Sequence, residues 1–414
     1  MEGREIIARA QALARHSDSA DHYTRTYLTP AHQAAARELA VWMREAGMAV
    51  RTDALGSVIG RYEGASGDAR TLLMGSHFDS VRNGGKYDGI LGILLGIACV
   101  AELNRRGERL PVAIEVAAFS DEEGARFQTS FLSSKAMVSA FDPALLERRD
   151  GEGVTLADAM RAAGLDPSQT ARARIDISKL AAYVEVHIEQ GPVLLSEGQP
   201  LGVVTTIAAG AKHMMKVIGQ AGHAGTVPMA MRHDALAAAA EMVLAIERRC
   251  SAGGSLVGTV GLLEVKDGTG NVIPGEVRFS IDIRAGDKDI LDTARRDVFA
   301  ELDAIATRRG VRLEGNRVHD VKPVACAPGL QDQLAAAIAK TLGTVGARRL
   351  PSGAGHDAMV MAEVTEAAMM FVRCGAGGVS HNPAETVSAE DAGLALAALL
   401  EFVRAFRATS KTPA

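Results

Sequence analysis

Two hydrophobic rhythms run along this chain. Residues 31–47 repeat apolar positions at helical spacing and stop at Gly47, a residue suited to the left-handed turn that ends helices. Residues 50–62 predict a strand hairpin around Ala54-Leu55-Gly56-Ser57. Short, almost wholly apolar runs follow at 71–75, 112–119 and 181–188, the pattern of strands buried on both faces. A helix is predicted over 90–106. Strands alternating with helices predict an α/β protein with a mixed, mostly parallel sheet covered by helices.

Near residue 208 the rhythm changes. Strands are predicted at 213–219, 255–264, 276–284 and 311–321, with helices at 234–249 and 288–309. That order, βαββαβ, is the split-βαβ, ferredoxin-like sandwich. Residues 208–324 therefore read as an inserted module. Residues 1–207 and 325–414 read as one discontinuous domain, because candidate site residues come from both flanks. The polar tail after Arg407 is expected to fray.

Composition narrows the class. At 414 residues a single core is not expected, and 47% apolar residues with a net charge of −5 carry no nucleic-acid footprint. The longest apolar stretch, 90–101, is too short for a membrane span of about 20 residues. The first residues lack a signal-peptide layout, which predicts a cytoplasmic protein. Cys99, Cys250, Cys326 and Cys374 form no Cys-x-x-Cys pair and read as small buried hydrophobes in a reducing compartment.

Five potential metal ligands stand where apolar runs meet Gly- or Ser-containing turns: His77, Asp88, Glu123, His187 and His381. In α/β proteins such places are the carboxyl ends of strands, where open sheets bind ligands. Three imidazoles and two carboxylates suit two divalent metals sharing one carboxylate, and so metal-assisted hydrolysis. The proposed arrangement sets His77 and His187 on one metal, Glu123 and His381 on the other, and Asp88 between. Zn or Mn fits this donor set, with Co or Ni as further options. Asp79 is expected to accept from the second ring nitrogen of His77. Glu122, free beside Glu123, is the expected proton acceptor and donor. Plainer readings compete: an N-cap for Asp88, a solvated acidic loop for Glu122-Glu123, and a structural histidine for His77.

The chain resembles a known family on motifs that occur in order over about residues 5–405: Gly-Ser-His-Phe-Asp-Ser, Gly-Gly-Lys-Tyr-Asp-Gly, Asp-Glu-Glu-Gly-Ala-Arg-Phe, Val-His-Ile-Glu-Gln-Gly-Pro, Gly-Gln-Ala-Gly-His-Ala-Gly, Asn-Val-Ile-Pro-Gly, Asp-Ile-Arg, Ser-Gly-Ala-Gly-His-Asp and Ser-His-Asn-Pro-Ala-Glu. It is similar to the hydantoinase/carbamoylase branch of the M20 metallopeptidase-like amidohydrolases, in which a histidine at the place of His187 is characteristic. Phe78 and Ser80 depart from the commoner Leu and Thr.

The resemblance implies a di-metal, aminopeptidase-like catalytic domain with a lid and dimerisation insert. It implies His223 as an oxyanion donor supplied across a homodimer interface, and Asn271 with Arg284 as the grip on a substrate carboxylate. Gln190, Gly355 and His356 would line the pocket. The implied substrate is a small ureido carboxylate, either allantoate or an N-carbamoyl-L-amino acid; the stretch from His22 to His32 leans towards allantoate. Two other readings stand beside it. One is an aminoacylase or dipeptidase of the same superfamily, which His187 disfavours. The other is a metal-dependent binding protein without turnover, which the free carboxylate of Glu122 disfavours.

Overall fold

A computed structural model of the chain describes residues 2–408 apart from 252, 254 and 255, and side chains apart from those of 209 and 317–321. The end of the tail expected to fray, residues 409–414, lies outside the described residues. The chain forms two compact units. One is Met1–Thr205 with Cys326–Leu350 and Gly355–Ala414; the other is Thr206–Ala325 with Pro351–Ala354.

The first unit begins with two helices, Gly3–Leu13 and Pro30–Glu45, followed by a hairpin, β1 (Ala49–Thr52) against β2 (Val58–Tyr62). Three strands follow: β3 (Thr71–His77), β4 (Ala113–Phe119) and β5 (Leu180–Ile188). Every residue of β3 and β5 is buried, as their unbroken apolar runs require of inner parallel strands. The helix Ile90–Arg105 packs close to β5: a Cβ on Gly92 would stand 2.0 Å from the Val186 carbonyl oxygen. Only glycine permits that approach, which lays the helix beside the strand carrying His187. β6 (Leu201–Ile207) closes this segment.

In the second unit β7 (Ala209–Ile218) is followed by the short β8 (Gly222–His223) and the helix Ala235–Cys250. Then come β9 (Val257–Thr259), β10 (Leu263–Val265), β11 (Val272–Ile273) and β12 (Glu276–Ala285), the helix Lys288–Arg309 and β13 (Arg312–Val321). The sheet runs β10-β12-β7-β13, wholly antiparallel, with β9 also on β12. Met242, Phe279, Ile281, Val298 and Leu302 fill the core between sheet and helices. One expected element differs. The strand read over 255–264 is two strands, β9 and β10, and its first residue lies outside the described residues. The Leu262 N–H turns to the Ser280 hydroxyl (3.0 Å) instead of a ladder carbonyl, so pairing lapses between them.

The chain returns through β14 (Val324–Ala325), β15 (Arg348–Ser352) and β16 (Ala367–Val372). The large sheet is ordered β1-β2-β4-β3-β5-β16-β6-β14, with β15 on β6. Its centre, β4-β3-β5-β16, is parallel, and the pairings printed on its flanks are antiparallel. The parallel strands share one direction, so their carboxyl ends gather His77, the loop after β4, His187 and the loop after β16. Among the described residues no helix is long and apolar enough to cross a membrane.

Candidate metal centre

His77 is the last residue of β3 and His187 the penultimate residue of β5. Each ring is oriented by backbone. His77 Nδ1 meets the Asp79 carbonyl at 3.1 Å, and His187 Nδ1 meets the Ile188 carbonyl at 2.9 Å. An Nδ1–H donated to a carbonyl leaves the Nε2 lone pair free to bind metal. Both Nε2 atoms point at one oxygen, Asp88 Oδ1, at 3.7 and 3.2 Å. The other oxygen, Oδ2, lies 3.1 Å from His381 Nε2, which is 3.3 Å from Glu123 Oε1. Asp88 therefore presents one carboxylate oxygen to each of two donor sets: His77, Asp88 and His187; and Asp88, Glu123 and His381.

These residues fit divalent cations. Among the described residues no Lys or Arg forms an ion pair with Asp88, Glu122 or Glu123, and Glu123 Oε1 is buried without a hydrogen bond. Buried carboxylates in such a place need a cation. The His381 ring, held by Asp88 and then Glu123, is pushed up to about 10. Burial opposes the anionic form of Asp88, yet His187 and His381 hold it well below the usual carboxylate range.

Glu122 behaves differently. Burial, then the charges of Glu123, Asp357 and Asp79, push its carboxyl well above the ordinary value, against the pull of His77. A carboxyl with raised proton affinity beside a metal cluster suits proton transfer. Glu122 also lies within ligand reach of His77 and Glu123, so its free carboxylate and a ligand role compete on geometry.

Asp88 is not the helix cap that its position allowed. The N-cap of Ile90–Arg105 is Gly89, with φ of 67° and no side-chain capping bond. A Cβ there would stand 2.6 Å from His77 Nε2, so both backbone and space demand glycine. Asp79 serves two neighbours. Its carboxylate stands 3.5 Å from His77 Nδ1, and it accepts the Glu122 and Glu123 N–H groups at 3.0 and 3.1 Å. It thus holds the turn carrying both glutamates. Gln190, expected against substrate, donates to both Asp88 oxygens at 3.2 Å. His356, expected in the pocket lining, is buried with its ring edge-on to His187, centroids 4.5 Å apart. Gly355 is exposed, and a Cβ there would meet Phe131 at 2.9 Å. Cys374 is buried, and burial pushes its thiol up to about 12.

Two supporting residues escaped the sequence reading. Glu185, two before His187 and so on the same strand face, accepts from Ser76 (3.1 Å), Tyr183 (3.1 Å) and the Ala358 N–H (2.9 Å). Its signal was a charged residue inside a wholly apolar strand. Glu385 accepts the Tyr87 and Asp88 N–H groups at 2.7 and 3.1 Å and the Ser380 hydroxyl at 2.7 Å. It ties the Asp88 turn to the His381 loop. We expect Glu385→Ala to weaken metal binding about 10–100-fold, the usual cost of losing an outer partner. Titration against a competing chelator would measure this, and wild-type affinity would remove the assigned role.

In the second unit, His223 pairs with Val272 across the β8–β11 ladder, and the Ala224 N–H donates to the Asn271 carbonyl at 3.0 Å. The Gly225 N–H donates to His223 Nδ1 at 3.0 Å, which places the proton of a neutral ring on Nε2. The exposed ring thereby offers an N–H, as an oxyanion donor must. Arg232 braces this loop through the Val227 and Ala224 carbonyls. Arg284 is gripped by Asp282 through Nε (3.1 Å) and Nη2 (3.0 Å), while Nη1 donates to the Gly353 carbonyl at 2.9 Å. With five N–H groups on a guanidinium, two remain for a ligand.

The model of peptidase family M20/M25/M40 matches residues 73–405. The chain is 43% identical to an N-carbamoyl-L-amino acid amidohydrolase of Geobacillus stearothermophilus, covering 89% of each chain. It is 40% identical to an allantoate deiminase of Arabidopsis thaliana, covering 96% of this chain and 81% of the relative. A crystal structure of an amidase of the hydantoinase/carbamoylase family from Burkholderia multivorans superposes with a TM-score of 0.89 at 31% identity, covering 97% of each chain.

Proposed function

The chain belongs to the M20/M25/M40 peptidase family, in its hydantoinase/carbamoylase branch, and from that premise we propose that it hydrolyses the ureido C–N bond of a small carboxylate, allantoate or an N-carbamoyl-L-amino acid. It is an amidohydrolase of a metal-dependent family. The observation that carries the reading is the divided carboxylate of Asp88, one oxygen towards His77 and His187 and the other towards His381.

Two divalent ions, Zn or Mn with Co or Ni as alternatives, fit these donors: His77, His187 and Asp88 for one, Glu123, His381 and Asp88 for the other. Bound there, such ions lower the pKa of water and polarise a carbonyl. The rest falls to side chains. Glu122 takes the proton of the attacking water and returns it to the leaving nitrogen. The His223 Nε2–H stabilises the oxyanion, supplied by the partner subunit of a homodimer. Asn271 and the two remaining Arg284 donors hold the substrate carboxylate, Asp282 fixing the plane of the fork. Gln190 holds Asp88 in place. The second unit would act as lid and dimerisation module. Addition of water to the ureido carbonyl and loss of the substrate nitrogen free carbamic acid, which decomposes to ammonia and CO2. Four free buried cysteines support a cytoplasmic location.

The two relatives named divide on substrate, and a panel separates them. Purified protein supplied with Mn or Zn is expected to release ammonia from allantoate or from an N-carbamoyl-L-amino acid, and not from N-acetyl amino acids or dipeptides. Ammonia from neither ureido substrate would overturn the reading. Turnover of N-acetyl substrates alone would move the chain to the aminoacylase reading.

A further inference from the structure

The first unit carries a cavity of about 550 Å³ whose chemistry hydrolysis does not use. Thr71 and Leu180 line it; they begin β3 and β5, the strands that end near His77 and His187. At about 3.3 Å per residue the two ends of β3 stand roughly 20 Å apart. The cavity is therefore at the end of the sheet opposite the candidate metal centre.

Its walls hold five cationic side chains, Arg51, Arg61, Arg172, Arg174 and Lys179, against three carboxylates, Asp53, Glu115 and Asp176. Each carboxylate has partners, although Asp53 Oδ2 is buried without one and burial pushes the Asp53 carboxyl up to about 6. Glu115 pairs with both Arg51 and Arg61, each at 3.2 Å. Asp53 Oδ1 accepts the Leu55 and Ser57 N–H groups, and Asp176 accepts the Ser178 N–H and hydroxyl. Arg172, Arg174 and Lys179 make no ion pair with a described residue.

Arg172, Arg174 and Lys179 are exposed side chains of the cleft wall, with Asp176 acting on Lys179, and together they leave an excess of positive charge that an anion relieves. Guanidinium forks match phosphate oxygens. Ala54, Ala173 and Ile175 also line the cavity and supply apolar wall, which a bare inorganic anion would not use. The volume falls in the range of small-molecule sites, roughly 300–1,000 Å³. We propose that this cleft binds a small organic phosphate, with Arg172, Arg174 and Lys179 on the phosphate and the apolar wall against its organic body.

The test is calorimetric titration of the metal-loaded full chain with adenosine monophosphate and, separately, inorganic phosphate. Adenosine monophosphate binds saturably and more tightly than inorganic phosphate. The Arg172→Gln/Arg174→Gln/Lys179→Gln variant binds it at least about tenfold more weakly, as loss of charge-assisted hydrogen bonds requires. Lys179→Glu alone moves affinity in the same direction. In the absence of nucleotide these variants hydrolyse ureido substrate at the wild-type rate. No binding by the wild type, or equal binding by the triple variant, overturns the site; the latter would mean nucleotide at the metal centre. Inorganic phosphate binding as tightly as the nucleotide overturns the organic-phosphate assignment.

Discussion

Glu122→Gln should lower kcat about 10²–10⁴-fold, the usual contribution of a positioned general base, while leaving metal content at the wild-type value. The substitution keeps shape and removes only the titrating oxygen. Among the described residues the Glu122 carboxylate accepts no hydrogen bond that organises the loop; that work belongs to its backbone carbonyl, which accepts the Phe131 N–H, and to Asp79, which holds the Glu122 and Glu123 N–H groups. Two quantities are read together. Steady-state rates on the preferred ureido substrate give the loss, and elemental analysis gives bound metal per chain. Full activity would remove the assigned base. Loss of metal in parallel with activity would show that Glu122, which lies within ligand reach of His77 and Glu123, is a ligand and that the proton is moved by another group.

Asp88→Asn should have the broader effect, because one residue serves both donor sets. We expect both ions to be lost and activity to fall on the order of 10³-fold or more, beyond the 10–100-fold typical of outer partners. Stability gives an independent readout. A ligand at 100 times its Kd stabilises the folded state by about 2.7 kcal/mol. Added metal should therefore raise the melting temperature of the wild type and leave that of Asp88→Asn unmoved. A variant that retains one firmly bound ion would show that a single donor set suffices and that Asp88 does not bridge.

The features legible in the chain are those that local pattern encodes. The inner strands announced themselves as unbroken apolar runs, and His77 and His187 as the polar residues that end them. The βαββαβ rhythm marked the insert because its strands and helices alternate at regular intervals. What stayed hidden depends on backbone conformation or on distant pairing. The choice between cap and ligand for Asp88 turns on the positive φ of Gly89, which no spacing reveals. Asp79 reaches the two glutamate N–H groups because β3 pairs with β4 in a register that sets His77 beside Phe119. Glu385 lies 297 residues from Asp88 in sequence, and only the fold makes it the acceptor of that residue's N–H. Arg284 reads as a free strand-end cation until Asp282, two residues earlier on the same strand face, is seen to hold it. Residues 351–354 joined the second unit with no composition change to mark them.

Asp88 is expected to divide a dinuclear centre. Anomalous diffraction from crystals of the metal-loaded protein, collected at the absorption edge of the added metal, tests it most directly. Two peaks about 3.5–4 Å apart, one beside His77 and His187, the other beside Glu123 and His381, with Asp88 reaching both, is the predicted map. A map with no density at Asp88, or with one ion held by His77, Glu122 and Glu123, would contradict it.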